Sequence, residues 1–280
     1  MRLKDLLKAG AQVLGGRKTA ILDCEVLLAY VLGKSREELI SSGGDEIDEE
    51  FSELFESYLE RVKSGEPIAY ITGAKEFYGL DFFVDKRVLI PRPETEQIVD
   101  RILEYLGRSE NARALDVGTG SGNIAVAVAK NFVGEIEIEA LEVSEGAVEV
   151  AKLNVSQHGV EDRVYVFQSD LLECVENGEK YDVIAANLPY IGEVKHHYVS
   201  KDSEKFEPNV ALFGGNDGLE LYRRLFSQIR EKGICYGIIV GEFGFAQRED
   251  MEKVLSKYFD QEWRIEPDLA GIDRIFIIQK

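Results

Sequence analysis

Cysteine and histidine are scarce in this chain, with three of each in 280 residues. Cys24, Cys174 and Cys235 are scattered, with no Cys-x-x-Cys spacing and no histidine close by. That excludes a disulfide framework, argues against a metal site, and leaves each cysteine as a small core residue in a reducing compartment. The pair His196-His197 sits in a polar stretch with no partner at metal-ligand spacing, and reads as an exposed loop. No run approaches the roughly 18 apolar residues that a membrane span needs. The opening residues, MRLKDLLKAGAQVLGG, lack a long apolar segment with a small-residue cleavage site, and read as an amphipathic helix instead of a signal peptide. Basic residues are also in deficit, 33 against 52 acidic, for a net charge of -19. Such a surface repels a phosphate backbone, so direct nucleic-acid binding is not expected; a basic protein partner or a small cationic ligand suits it better. Internal repeats and low-complexity segments are absent as well. The expectation is a cytoplasmic monomer without membrane association.

What remains is an ordinary globular composition, 45% hydrophobic and 30% charged, enough for one large domain or two modest ones. Residues 1–73 carry helical stripes: Leu3, Leu6 and Leu7; then Leu27, Leu28, Val31 and Leu32; then Phe51, Leu54, Phe55, Tyr58, Leu59 and Val62. The acidic run from Asp45 to Glu50 reads as a solvated, dipole-compensating helix start. Residues 74–90 are rich in β-formers around Gly79, which predicts a hairpin linker. Pro91-Arg92-Pro93-Glu94-Thr95-Glu96 then leads into a helix through about Leu106, with Pro93 suited to its first turn. From Arg113 onward strand and helix patterns alternate, with strands at 114–117, 136–143, 164–168, 183–186 and 238–242. Helices fit at 122–131, 144–157, 218–231 and 246–258, and two further strands at 263–266 and 274–279 can close the sheet antiparallel. This alternation predicts a Rossmann-like α/β domain over residues 91–280, with a parallel sheet covered on both faces. Trp263 is assigned to its core.

Within that domain, Asp116-Val117-Gly118-Thr119-Gly120-Ser121-Gly122 takes a strand through a glycine-rich turn into a helix. Glycines let a ligand approach the backbone, and the helix start offers free N–H groups. The next strand ends in Glu142, about 24 residues on, where a carboxylate can accept both hydroxyls of a ribose. The spacing Gly118-x-Gly120-x-Gly122 does not match the nicotinamide fingerprint. After the third strand, Asp170 and Leu171 stand where adenine would be bordered, although Asp170 is equally a polar helix cap.

The fourth strand delivers Asn187-Leu188-Pro189-Tyr190 to the carboxyl edge of the sheet. A planar amide or aniline-like nitrogen is a poor nucleophile because its lone pair is delocalised. The Asn187 side-chain oxygen and the Leu188 carbonyl can accept hydrogen bonds from such an NH2 group, hold it in line, and favour its rehybridisation. Tyr190 offers an aromatic face to the planar group. Glu242, in Gly241-Glu242-Phe243-Gly244, reads as a loop carboxylate.

The loop with Asp116 resembles S-adenosylmethionine-binding methyltransferases. Asn187-Leu188-Pro189-Tyr190 is similar to the Asn-Pro-Pro-Tyr of enzymes that methylate planar nitrogen, with Leu188 in place of the first proline. Ribosomal RNA adenine dimethyltransferases carry the same leucine, which leaves N6-adenine methylation of RNA or DNA as the alternative. A silent binding protein, disabled by Leu188, is a third reading. Three other segments resemble the release factor glutamine methyltransferases: Ile90 to Glu96; Phe206-Glu207-Pro208 through Gly214-Gly215 to Leu219; and Pro67 to Leu80. That resemblance spans nearly the whole chain. It implies a seven-stranded class I methyltransferase domain behind a small helical domain that helps grip a protein substrate. The implied reaction moves a methyl group from S-adenosyl-L-methionine to the side-chain nitrogen of the glutamine in the Gly-Gly-Gln loop of peptide chain release factors. The implied cofactor residues are Gly118, Thr119, Gly120, Ser121, Gly122, Glu142, Asp170, Leu171 and Asn187, with Arg92 and Thr95 lining the cleft. Asn187, Leu188, Pro189 and Tyr190 would hold the glutamine, and no metal is implied. Glu207-Pro208 and Gly214-Gly215 are either ordinary turns or substrate-positioning elements.

Overall fold

The computed structural model describes residues 1–107, 109–192 and 205–280. His196 and His197 lie outside the described residues. The chain divides into two compact units, Met1–Ala74 and Lys75–Lys280.

The first unit is helical: α1 (Leu3–Val13), α2 (Ala20–Leu32), α3 (Arg36–Ser41), α4 (Glu49–Lys63) and α5 (Ile68–Thr72). Its boundaries follow local chemistry. Gly33 ends α2 in the left-handed conformation, and Ser35 with Glu38 forms a reciprocal capping box that starts α3. Leu3, Leu6, Cys24, Leu27, Leu28, Phe55, Leu59 and Val62 make one core, each fully buried apolar side chain contributing about 1.5–3 kcal/mol. The α4 stripe is narrower than its sequence suggests. Phe55, Leu59 and Val62 face inward, whereas Phe51 and Leu54 are exposed on the flank.

Next comes a hairpin, β1 (Ala74–Phe77) and β2 (Leu80–Phe83), all but its first residue within the second unit. The hairpin packs onto the sheet domain: Phe82 meets Phe77 edge-on and rests on the His158 ring. The fully buried Asn154 accepts from the Phe83 N–H and donates to the carbonyls of Phe83 and Ser121. One amide thereby joins the hairpin to the glycine-rich loop.

A short 3-10 turn at Pro93–Thr95 precedes α6 (Glu96–Leu106). The alternating elements follow: β3 (Asn111–Val117), α7 (Asn123–Asn131), β4 (Glu135–Glu142), α8 (Glu145–Gln157), β5 (Val164–Gln168), β6 (Lys180–Ala186), α9 (Glu220–Glu231), β7 (Cys235–Glu242), α10 (Arg248–Tyr258), β8 (Trp263–Pro267) and β9 (Asp273–Gln279). The seven strands run in the order β5-β4-β3-β6-β7-β9-β8; β9 is antiparallel to both its neighbours and the other pairings are parallel. Strands β3 and β7 each begin three residues earlier than their apolar runs, because polar and half-buried residues still pair at the sheet's amino edge. Leu115, Val117, Ile184 and Ile239 pack against Tyr222, Leu225 and Phe226 of α9 and Met251 and Leu255 of α10, and Trp263 sits half-buried against this cluster. Two cysteines depart from the core expectation. Cys24 is buried, but Cys174 lies in the turn after β5 and Cys235 is the first residue of β7, and both are exposed. Among the described residues no helix is long and apolar enough to cross a membrane, and no group of side chains is arranged to hold a metal ion.

Candidate functional site

From β3 the chain winds outward through β4 and β5, then crosses back to β6 on the other side of β3, and a crevice opens at the carboxyl ends where the direction reverses. A cavity of about 290 Å3 lies there, walled by the β3–α7 loop, the ends of β4, β5 and β6, and the segment before α6.

The glycine-rich loop is tethered to its neighbour strand: the N–H groups of Gly118 and Thr119 both donate to the Leu141 carbonyl, at 2.8 and 3.0 Å. Gly118 has φ +75°, and a Cβ there would lie 2.9 Å from the Leu188 Cδ2, so the loop closes directly onto the acceptor segment. The N-cap of α7 is Gly122, which has no side chain to cap the helix, and the first residues of α7, Asn123 and Ile124, line the cavity. Glu142 is buried, with one carboxylate oxygen accepting from Gly120 N–H at 3.0 Å and the other from Ser144 N–H at 2.9 Å. Burial raises its pKa, against the pull of those backbone donors. A carboxylate has about four lone-pair sites, so acceptor capacity remains beside the cavity.

Beneath the loop, Asp116 accepts from the Thr119 hydroxyl at 2.6 Å, while its Oδ1 is buried without a hydrogen-bond partner. Burial pushes its carboxyl from an ordinary 3.8 up to about 6. The folded state therefore binds more protons than the unfolded chain between these values, and stability falls as pH rises from about 4 through about 6. Two units at 1.36 kcal/mol each make the loss up to about 3 kcal/mol. Asp116→Asn, which keeps an acceptor for Thr119 without the charge, is expected to lack this part of the slope. Parallel unfolding free energies for the two proteins between pH 4 and 7 would refute the assignment.

Asn187, immediately after β6, reaches into the wall between β6 and β7. Its side-chain NH2 donates to Thr95 Oγ1 at 3.1 Å and to Glu242 Oε2 at 3.3 Å. Its Oδ1 engages no donor among the described residues, and none reaches the Leu188 carbonyl. The Leu188 side chain is buried over Gly118. Its N–H, which a proline would lack, points at the Tyr222 hydroxyl at 3.4 Å, and that hydroxyl also contacts the carbonyls of Ala186 and Glu242. Tyr222 thus bridges the diverging ends of β6 and β7 and partners the extra N–H of Leu188.

Two flanking segments frame the acceptor loop. Ile191 N–H donates to the Leu212 carbonyl and Gly214 N–H to the Ile191 carbonyl, both at 3.0 Å. Gln247 donates to the carbonyls of Tyr190 and Asp217 and accepts from Gly244 N–H. The Phe206–Leu219 stretch is therefore a brace for the acceptor loop, and its Glu207 is buried in a two-oxygen pairing with Arg92, at 2.7 and 2.8 Å.

Arg92, Thr95, Gly118, Thr119, Gly120, Ser121, Glu142, Asp170, Leu171, Asn187, Leu188 and Pro189 all line the cavity. Two residues singled out from sequence do not. Gly122 packs over Ala151 of α8, and Tyr190 turns behind the loop with its hydroxyl donating to Glu242 at 3.0 Å. The expected open aromatic face of Tyr190 is instead a support, because the buried carboxylate draws the phenol inward; burial keeps that phenol protonated, its pKa well above the ordinary value. The Asp170 carboxylate is paired with Arg224 at 2.7 Å, and Leu171 holds φ +52°, an unusual conformation for a leucine that turns its backbone along the wall. Glu242, read from sequence as a loop carboxylate, is 1% exposed and hydrogen-bonded to Thr95, Asn187 and Tyr190 behind the cavity wall. The signal was its position: like Glu142, it is an acid at the carboxyl end of a central strand, directly after buried apolar residues.

A family model described as "PrmC N-terminal domain" matches residues 5–73, and one described as "Methyltransferase small domain" matches residues 98–202. A release factor glutamine methyltransferase of Clostridium acetobutylicum is 36% identical over 280 residues, covering 99% of this chain and 98% of that protein. Its counterpart in Koribacter versatilis is 35% identical over 259 residues, 92% and 91% of the two chains. Among solved structures, the hMettl16 catalytic domain in complex with MAT2A 3'UTR hairpin 6 superposes with a TM-score of 0.60 at 16% identity, over 76% of this chain and 80% of that one. That likeness concerns the fold alone, a Rossmann-like methyltransferase sheet. The near-full-length relatives reach further, across both the helical unit and the sheet unit, and the chain belongs to the release factor glutamine methyltransferase family.

Proposed function

We propose that this chain transfers a methyl group from S-adenosyl-L-methionine to the side-chain nitrogen of the glutamine in the Gly-Gly-Gln motif of peptide chain release factors. The observation that carries the reading is the Asn187 amide, whose NH2 group is committed to Thr95 and Glu242, leaving Oδ1 for an NH2 donor in the cavity. S-adenosyl-L-methionine supplies a methyl group already activated on a sulfonium. The cavity residues suit it: a loop of left-handed glycines, the start of α7 beside the cavity, and Glu142 with unused lone pairs. In this reading Gly118, Thr119, Gly120 and Ser121 contact the donor by backbone, Glu142 takes its ribose, and Asp170 and Leu171 border its base. Gly122 shapes the loop, and Arg92 and Thr95 order the wall. Asn187 Oδ1 and the Leu188 carbonyl hold the glutamine NH2, with Pro189 stiffening the turn and Tyr190 supporting it from behind. No strong base is required if the proton leaves after transfer. A substrate that acts in translation places the enzyme in the cytoplasm, and the helical unit would help grip that protein.

The adenine alternative shares a planar NH2 acceptor, but the net charge of -19 opposes a nucleic-acid partner. Incubation with methyl-labelled cofactor and either release factor or RNA and DNA separates the two; label on the release-factor glutamine, located by mass spectrometry, is the expected result. Label in nucleic acid alone would overturn the proposal. Glu142→Ala is expected to weaken cofactor affinity by about 1–3 kcal/mol through lost charge-assisted hydrogen bonds, measured by calorimetric titration. Unchanged affinity would remove Glu142 from the donor site.

A further inference from the structure

We infer that Glu242 is the positioning residue of the acceptor site, holding the Asn187 amide so that its oxygen and not its NH2 group is presented to the cavity. This inference rests on the proposed amide-nitrogen acceptor. Glu242 ends β7, next to β6 in the sheet, and its side chain lies behind the acceptor loop. Oε2 accepts from the Thr95 hydroxyl at 2.7 Å and from the Asn187 NH2 at 3.3 Å, and Oε1 accepts from the Tyr190 hydroxyl at 3.0 Å. One carboxylate therefore reaches both ends of the Asn187–Tyr190 tetrapeptide.

The chemistry leaves the amide a single orientation. Burial raises the pKa of Glu242, but the Thr95 and Tyr190 hydroxyl donors and the nearby Arg274 charge oppose that rise and favour the carboxylate, which only accepts hydrogen bonds. Thr95 has one hydroxyl proton and spends it on Glu242, so toward Asn187 it can only accept. Both groups on the inner side of Asn187 are acceptors, and a flipped amide would set its own oxygen against them. With the NH2 held inward, Oδ1 faces outward. A buried carboxylate with three side-chain donors is costly to assemble for packing alone, since an apolar side chain of similar size could fill the space without desolvating a charge. Thr95 belongs to the Ile90–Glu96 segment, which thereby acts on the acceptor side of the cavity through Asn187.

Glu242→Gln replaces one acceptor oxygen with an NH2 group and removes the reason for the Asn187 orientation. Expected is a fall in kcat for release-factor methylation of about 100-fold, the scale of a small misplacement at a reacting group. KM for both substrates should stay within about threefold, a split that general loosening of the fold would not give. Thr95→Val should lose rate in the same way and Thr95→Ser should recover it, which decides the matter if Glu242→Gln folds poorly. The double variant Glu242→Gln with Asn187→Ala should be no slower than Asn187→Ala alone, because both act through one amide. A substrate-free readout accompanies these rates: the Asn187 side-chain NH2 resonance, identified by its loss in Asn187→Ala, should shift in Thr95→Val and return in Thr95→Ser. Wild-type kcat in Glu242→Gln, multiplicative losses in the double variant, or an NH2 resonance indifferent to Thr95 would each overturn the inference. Failure of the wild-type protein to methylate release factor would instead sink the proposed function, and the resonance would still report on Glu242.

Discussion

Asn187→Ala is expected to lower methyl transfer by at least about 10³-fold while cofactor affinity changes by less than about threefold, as for loss of a preorganised group that acts on the reacting atom. The geometry explains the asymmetry. The donor side of the cavity is built from the β3–α7 loop and Glu142, whose hydrogen bonds to Leu141, Gly120 and Ser144 do not involve Asn187. The acceptor side depends on one side-chain oxygen and one backbone carbonyl. Without Oδ1 the incoming nitrogen keeps a single acceptor and can rotate out of line. Alanine also leaves Glu242 Oε2 with Thr95 as its remaining donor, a modest cost because the stronger of the two bonds is kept. Single-turnover transfer to release factor, together with calorimetric titration of the cofactor, checks both halves. Rates within tenfold of wild type would show that Asn187 does not hold the acceptor nitrogen.

The features legible in the sequence are those encoded within a few tens of residues. The glycine loop and Glu142 are read from a strand, a turn and a helix in order, and the register Val117 with Leu141 places their ends side by side. Asn187 is legible for the same reason, as a polar residue closing the buried run Val183–Ile184–Ala185–Ala186. The support beneath it is not. Thr95 and Glu242 are 147 positions apart, and Tyr222 meets Leu188 from a helix 34 positions later. No local pattern marks such pairs, because each residue taken alone has a bland role as a helix start, a loop acid or a core aromatic. The same limit misleads at Leu188. From sequence it reads as a departure from proline that could disable transfer; folded, its side chain packs over Gly118 and the Tyr222 hydroxyl meets its N–H. Phe51 and Leu54 err in the other direction, since helical spacing marks a face without marking how wide a strip the neighbouring helices cover.

Gly214→Ala is expected to destabilise the fold by about 1–3 kcal/mol, the range for forcing a methyl group into a filled site, and to slow transfer by about 100-fold through displacement of the acceptor segment. A Cβ at Gly214 would stand 2.0 Å from the Pro189 carbonyl oxygen and 2.8 Å from that of Gly218. Both obstacles are backbone, so no side chain can swing aside. Relief requires the Pro189 peptide to retreat by more than 1 Å, and that peptide adjoins the Leu188 carbonyl proposed to hold the glutamine NH2. The retreat would also strain the Gly214 N–H bond to the Ile191 carbonyl that braces the loop. Donor binding should survive, because the loop of Gly118 and Gly120 hangs from Leu141 and Glu142 instead. Gly44→Ala is the matched control: it lies in the helical unit, with open space around its Cβ position and no left-handed backbone, and should leave both rate and stability unchanged. Thermal unfolding and single-turnover transfer on the two variants measure the contrast. Wild-type transfer by Gly214→Ala would mean that the Phe206–Leu219 segment tolerates the added methyl, and that the close approach of its glycine to Pro189 does not set the position of the acceptor loop.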